Sequence, residues 1–123
     1  QLLADVGLEY GEHAGLGWIG GEVRAIDPGD VRKKVPHMGW NALRITESPA
    51  NLFAGIDPGA HVYFVHSYGF APTDDGCILA EVDYGPPIVS AVAKGNIAGT
   101  QFHPEKSQAV GLRFIANFLS WSP

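Results

Sequence analysis

The chain is poor in sulfur: among its 123 residues stand one cysteine, Cys77, and one methionine, Met38. A lone cysteine excludes an internal disulfide framework and suits a reducing cytosol, so a cytoplasmic protein is expected. Basic residues are also scarce, 8 Lys and Arg against 13 Asp and Glu, for a net charge of −5. That balance argues against nucleic acid as a partner. No apolar run approaches the roughly 18 residues that a membrane helix requires, so no membrane is expected either. The five histidines (His13, His37, His61, His66 and His103) include no i,i+4 pair and no His/Cys cluster of zinc type, and no metal is expected. Neither a Gly-x-Ser-x-Gly elbow nor a comparable cysteine turn occurs, so no nucleophile is obvious.

What is present describes a folded domain. Hydrophobic residues make up 46% and charged residues 17%, a globular balance at a length that fits one domain with a real core. With 16 glycines and 9 prolines, many short elements joined by tight turns are expected. Leu2, Leu3, Val6 and Leu8 suggest a short amphipathic helix ending near Gly11. Trp18 to Ile26, Trp40 to Ile45, His61 to Tyr68, Ile78 to Tyr84 and Ile88 to Ala93 read as strands. Lys94-Gly95-Asn96 reads as a hairpin turn into Ile97 to Phe102, and Thr46 to Pro58 as a loop with Phe53 in the core. Ala109 to Trp121 reads as a helix behind an N-cap Ser107, with Val110, Phe114, Ile115, Phe118 and Leu119 forming a wide apolar face.

The chemistry concentrates in Gly99-Thr100-Gln101-Phe102-His103-Pro104-Glu105-Lys106-Ser107. Pro104 disfavours the α region at His103, which should end a strand. Residues two apart on an extended chain share a side, so Glu105 is placed to meet one ring nitrogen and leave the other for a nucleophile. The same spacing also suits an ordinary surface histidine and glutamate in a strand-to-helix turn. Cys77 makes a poor nucleophile. It follows Asp74 and Asp75, whose charge raises a thiol pKa, and it opens an apolar strand pattern.

Thr-Gln-Phe-His-Pro-Glu-Lys-Ser resembles the His/Glu signature of the triad-type (class I) glutamine amidotransferases. Pro36-His37-Met38-Gly39-Trp40-Asn41 and Tyr63-Phe64-Val65-His66-Ser67-Tyr68 resemble internal motifs of one branch, the glutaminase subunits of imidazole glycerol phosphate synthase. The likeness runs from Gln1 to Trp121, and the motifs occur in the branch's order. It implies an α/β fold, here the C-terminal part of it over residues 1–123, with a mixed sheet carrying antiparallel strands and flanking helices. It also implies an enzyme of histidine biosynthesis in which Cys, His and Glu hydrolyse glutamine through a thioester. Ammonia then passes to a cyclase (synthase) subunit, and no metal or organic cofactor is needed.

Residue by residue, the resemblance implies that His103 is the catalytic base and Glu105 its orienting carboxylate. Gln1, Ser67 and Tyr68 match positions lining the glutamine pocket. Pro36, His37, Met38, Gly39, Trp40 and Asn41 match the loop facing the cyclase, with Trp40 at the mouth of an ammonia tunnel. Lys106 matches a position that pairs with an acidic partner residue. His66 receives nothing beyond packing or a hydrogen bond in its strand, and Arg32-Lys33-Lys34 reads as a solvated turn. The family nucleophile lies in a Gly-x-Cys-x-Gly-x-Gln elbow. Gln1-Leu2-Leu3-Ala4 resembles its close, so the nucleophile is expected four residues before Gln1 and the chain is expected to be inert alone. A segment cut there would leave sheet edges open, and self-association is expected. The alternatives are a non-catalytic partner-binding domain, or another class I amidotransferase of the anthranilate or carbamoyl phosphate type, against which the Pro-His-Met-Gly-Trp-Asn segment argues.

Overall fold

A computed structural model describes all residues from Gln1 to Pro123. Ten strands and one α-helix follow each other as β1 (Val6–Gly7), β2 (His13–Ala14), β3 (Gly21–Ala25), β4 (His37–Ala42), β5 (Arg44–Ile45), β6 (His61–His66), β7 (Tyr68–Pro72), β8 (Ile78–Asp83), β9 (Pro87–Lys94), β10 (Ile97–Thr100) and α1 (Gln108–Leu119). Short 3₁₀ turns occupy Asp75–Cys77 and Pro104–Lys106. The strands form one sheet of order β2-β1-β3-β7, a second of order β10-β9-β8-β5, and a two-stranded ribbon β4-β6. Only the β1–β3 pairing is parallel. The fold is a mixed α/β arrangement with a single α-helix, where flanking helices in the plural were expected.

The expected N-terminal helix is absent. The carbonyls of Leu2, Leu3 and Ala4, which a helix would offer to amides four residues on, instead accept from Leu16, Trp18 and Gly17. Asp5 is drawn into the same crossing: its carboxylate accepts from the Gly21 amide at 3.0 Å. Of the residues that suggested a helix, Leu2 and Leu8 are exposed, and Leu3 packs against a small second core of Ala4, Ile19, Val23, Phe70, Cys77 and Val92. Two long-range sets of backbone bonds outweigh a weak local propensity.

The strong β patterns behave as their composition dictates. In β6, Val62 and Phe64 are wholly buried while His61, Tyr63 and Val65 alternate outward, the period-2 signature of a half-covered strand. The expected run to Tyr68 breaks at Ser67, and the chain resumes as β7 in a different sheet. The hairpin β9-β10 closes on Gly95-Asn96, with Lys94 opposite Ile97. Phe64, Phe102 and Phe114 meet at the centre of the main core, and Phe53 reaches in from its loop to within 5.1 Å of Phe114, centroid to centroid. Each such ring contributes on the order of 1.5–3 kcal/mol through burial.

Helix α1 buries less than its apolar residues suggested. Gly111 and Phe114 face the core and Val110 packs beside them, but Phe118 and Leu119 are largely exposed. Asn117 takes the place of an apolar residue on the inner side. Its amide donates to the carbonyls of Leu52 (2.9 Å) and Ala54 (2.8 Å), anchoring the 46–58 loop. Gly111 lets the helix touch the turn before it, since a Cβ there would stand 1.8 Å from the Pro104 carbonyl oxygen.

Gly111→Ala sets two effects against each other. Alanine gains about 1 kcal/mol of helix propensity. Overpacking against a backbone oxygen costs about 1–3 kcal/mol or more. We expect net destabilisation by denaturant unfolding, with chemical-shift changes concentrated at His103 to Ser107. A stabilised variant with that turn undisturbed contradicts the packing described.

Candidate functional site

His103 leaves the β10 hairpin in extended backbone (φ −95°, ψ 99°), after which Pro104–Lys106 closes a 3₁₀ turn. The turn, and not a straight strand, brings Glu105 back to the ring. His103 Nδ1 donates to Glu105 Oε1 at 2.8 Å. That bond assigns the hydrogen to Nδ1 and leaves Nε2 as a free acceptor, the tautomer a general base requires. The imidazole beside Glu105 is the main reason its carboxyl titrates below the usual range, with a backbone hydrogen bond adding to it. Both side chains keep solvent access, 37% for His103 and 61% for Glu105.

Two straps hold this turn against β6. The His103 amide donates to the Tyr63 carbonyl at 3.0 Å. Ser107 is buried, and its hydroxyl accepts from the Tyr63 amide at 3.0 Å while donating to the His103 carbonyl at 2.7 Å. Ser107 occupies the N-cap position of α1, but its side chain makes no capping bond. The hydroxyl that was expected to cap the helix instead fastens the histidine turn to the sheet.

Gln1 and Tyr68 come together. The Gln1 side-chain amide donates to the Tyr68 carbonyl (2.9 Å) and to Gln101 Oε1 (2.8 Å). His66 Nδ1 donates to the same Tyr68 carbonyl at 2.8 Å. Ser67 contributes its carbonyl to the Ile26 amide, so its backbone is committed to the sheet. His66 thus makes the hydrogen bond expected of it, at the carbonyl that Gln1 also uses. Gln101 was missed. Its signal was faint, because a polar residue next to a strand end acquires partners only once register is known.

The 36–41 segment divides by face. His37 and Asn41 turn inward, whereas Met38 and Trp40 are exposed by 61% and 48%. Gly39 lies between them at φ 116°, a backbone conformation that a side chain would strain. Trp40 packs edge-on against Tyr63 across the ribbon, and Lys106 places its ammonium 5.8 Å from the Tyr63 ring centre on the same side. His37 is buried between Phe64 and Tyr84, with ring centres at 4.7 and 4.2 Å. Burial, with smaller contributions from His66 and Lys33, pushes its pKa down to about 4. Burial lowers His66 too, against a raising hydrogen bond to Tyr68, and His103 adds a further lowering.

Cys77 lies in the second core, away from this arrangement. Its thiol donates to the Asp74 carbonyl at 3.1 Å, and burial and the Asp74 charge push its pKa up. A surface depression lined by Asn51, Asn117 and Trp121 among others contains neither His103 nor Glu105. No helix is long and apolar enough to cross a membrane.

Residues 6–120 match the family described as "Glutamine amidotransferase class-I". The chain is 61% identical over 123 residues to a protein of Rhodospirillum rubrum named "Imidazole glycerol phosphate synthase subunit HisH", covering all of this chain and 58% of that protein. Proteins of the same name in Caulobacter vibrioides and Ruegeria pomeroyi are 53% and 54% identical over 123 residues, with 57% and 58% of their lengths covered. The chain therefore spans less than two thirds of these relatives.

The neutral state of His37 makes stability depend on pH. In the unfolded chain its imidazole titrates near 6.5, so on acidification the unfolded state takes up the proton first. Stability is complete above about pH 6.5 and falls as the pH drops towards 4. Glu105 acts in the same direction but only at and below the ordinary carboxylate range. We expect the thermal midpoint at pH 5 to lie several degrees under that at pH 7, at about 4–8 °C per kcal/mol. An equal or higher midpoint at pH 5 contradicts a buried neutral His37.

Proposed function

The chain belongs to the class I glutamine amidotransferases, and we propose that it is the part of an imidazole glycerol phosphate synthase glutaminase subunit that supplies the histidine and carboxylate of the triad. The observation that carries this reading is the 2.8 Å bond from His103 Nδ1 to Glu105 Oε1, with Nε2 left free. Similarity to the relatives named above chooses the branch.

In this reading a cysteine from a part of the protein outside these 123 residues gives its proton to His103 Nε2. The thiolate attacks the glutamine amide carbon and forms a C–S bond. His103 returns the proton to the leaving nitrogen as the C–N bond breaks, releasing ammonia. Water then attacks the thioester, with His103 taking its proton, and glutamate leaves as the thiol is restored. Glu105 keeps the imidazole in its working tautomer and stabilises the imidazolium that forms twice per cycle. Gln1, Ser67 and Tyr68 border the glutamine pocket. Cys77 has no part, since its thiol is buried, donates to a carbonyl and has a raised pKa. The 123-residue chain alone is inert for want of a thiol beside His103.

The partner face is the outward side of β4. Met38 and Trp40 are large apolar residues standing in solvent, and Lys106 lies on the same side over Tyr63. Exposed apolar side chains of this kind mark docking surfaces. The cyclase subunit covers this face and receives the ammonia, for use in histidine biosynthesis. The segment expected as a loop is strand β4, with His37, Gly39 and Asn41 on its inner side and Pro36 exposed just before it. Leu112 and Leu119, exposed on α1, supply a surface through which the isolated chain self-associates.

The test is glutamine hydrolysis by the full-length subunit with its cyclase present. His103→Asn should lower kcat by about 10²–10⁴, the usual worth of a positioned general base. Glu105→Gln should lower it by less, and Cys77→Ser should leave it unchanged. Loss of turnover in a folded Cys77→Ser variant overturns the assignment, as does ammonia release from glutamine by the 123-residue chain alone.

A further inference from the structure

Three side chains for which the proposed reaction has no chemical step run in file through β4 and β6. Asn41 Nδ2 lies 3.2 Å from His37 Nε2. His37 Nδ1 lies 2.8 Å from His66 Nε2, the two residues standing directly opposite each other in the ribbon. His66 Nδ1 lies 2.8 Å from the Tyr68 carbonyl oxygen.

Both ends of this file have a fixed polarity. At one end the Asn41 amide cannot be turned over. Its Oδ1 faces the Ala42 amide at 2.8 Å, which only donates, and its Nδ2 faces the Asp83 carbonyl at 3.1 Å, which only accepts. Nδ2 is therefore the donor to His37 Nε2. At the other end a carbonyl can only accept, so His66 carries its hydrogen on Nδ1. His66 Nε2 then accepts, His37 must donate from Nδ1, and its Nε2 is left as the acceptor that Asn41 needs. Working from either end gives the same answer. One hydrogen per ring satisfies every bond, and a second on either ring sets N–H against N–H.

We infer that Asn41, His37 and His66 form a one-way hydrogen-bond chain, with each ring hydrogen on Nδ1, that fixes the Tyr68 carbonyl where it receives the Gln1 amide. The three are positioning residues acting through Tyr68. The inference rests on the proposed function only in calling that edge the glutamine side, and its test uses no turnover.

The surroundings suit a neutral chain. His37 is 2% and His66 7% exposed, and neither forms an ion pair. The charged or titratable groups facing them are Lys33, whose ammonium stands 5.4 Å from the Tyr84 ring centre, Tyr84 itself, and His103 from the turn after β10. Lys33 disfavours a proton on His37 and His103 disfavours one on His66, and none of the three offers a carboxylate. The opposite polarity, with hydrogens on both Nε2 atoms, would point the His66 Nδ1 lone pair at a carbonyl and set two donors against each other at Asn41. Each is a buried mismatch costing about 1–3 kcal/mol.

The experiment is long-range ¹⁵N–¹H imidazole spectroscopy of the isotopically labelled protein at pH 7.5. Both rings should show a protonated Nδ1 and a bare Nε2, and both should gain a proton only below the ordinary imidazole range, about 6.5. A hydrogen on Nε2 of either ring at pH 7.5 overturns the inference. A pair of variants tests the positioning. His66→Asn keeps a donor in the place of Nδ1, whereas His66→Gln keeps only a group in the place of Nε2. The Gln1 side-chain amide resonances should be retained in the first and displaced in the second. Equal displacement in both, or in neither, overturns the positioning role. Should both variants fail to fold, the wild-type tautomers still decide the polarity.

Discussion

The backbone of Tyr63 is the constraint on which the arrangement depends. In an antiparallel ribbon each residue turns its N–H and C=O to one edge. Tyr63 turns both away from β4, where they meet the Ser107 hydroxyl and the His103 amide. A strand made rigid by the wholly buried Val62 and Phe64 thus lends its free edge to a turn that has little core of its own. The His103–Glu105 pair stands in solvent, and an exposed ion pair contributes little to stability by itself. Its geometry is borrowed from β6 through one main-chain bond and one hydroxyl, with Gly111 allowing α1 to close from behind.

Strand β6 borders two histidine environments of opposite character. His103 has a carboxylate at one nitrogen and an uncommitted lone pair at the other, on a ring that keeps solvent access. His37 and His66 have a donor at one end of their file, a carbonyl at the other and aromatic faces around them, which suits rings that remain neutral. Desolvation decides between them. Where burial is deep and no carboxylate is near, the charged form is disfavoured, and the hydrogen bonds then select the tautomer. Proximity to His103 adds to the lowering at His66.

Much of the architecture was legible locally. The alternation in His61–His66, the Lys94-Gly95-Asn96 turn and the amphipathic run after Ser107 each encode their structure within a few residues, because strand alternation, hairpin closure and helix periodicity are short-range properties. The nearness of His103 and Glu105 is of the same kind, since two residues and a proline leave little freedom. The N-terminal segment failed that logic. Its apolar spacing favours a helix in isolation, but the amides of residues 16 to 18 arrive to claim its carbonyls. Phe118 and Leu119 also misled, since periodicity tells which residues share a face and not how much of that face meets a partner.

By itself the sequence determined the residue types, their spacing and the family signature that selects an amidotransferase. It also determined that Cys77, flanked by acids in a strand pattern, is a poor thiolate. Only the tertiary structure decided that His37 faces His66, that Asn41 and Tyr68 terminate the same file of hydrogen bonds, and that Ser107 straps a turn where capping was expected. The reason is physical. A hydrogen bond between residues 29 apart along the chain depends on strand register, and register is settled by which face of the whole ribbon is buried.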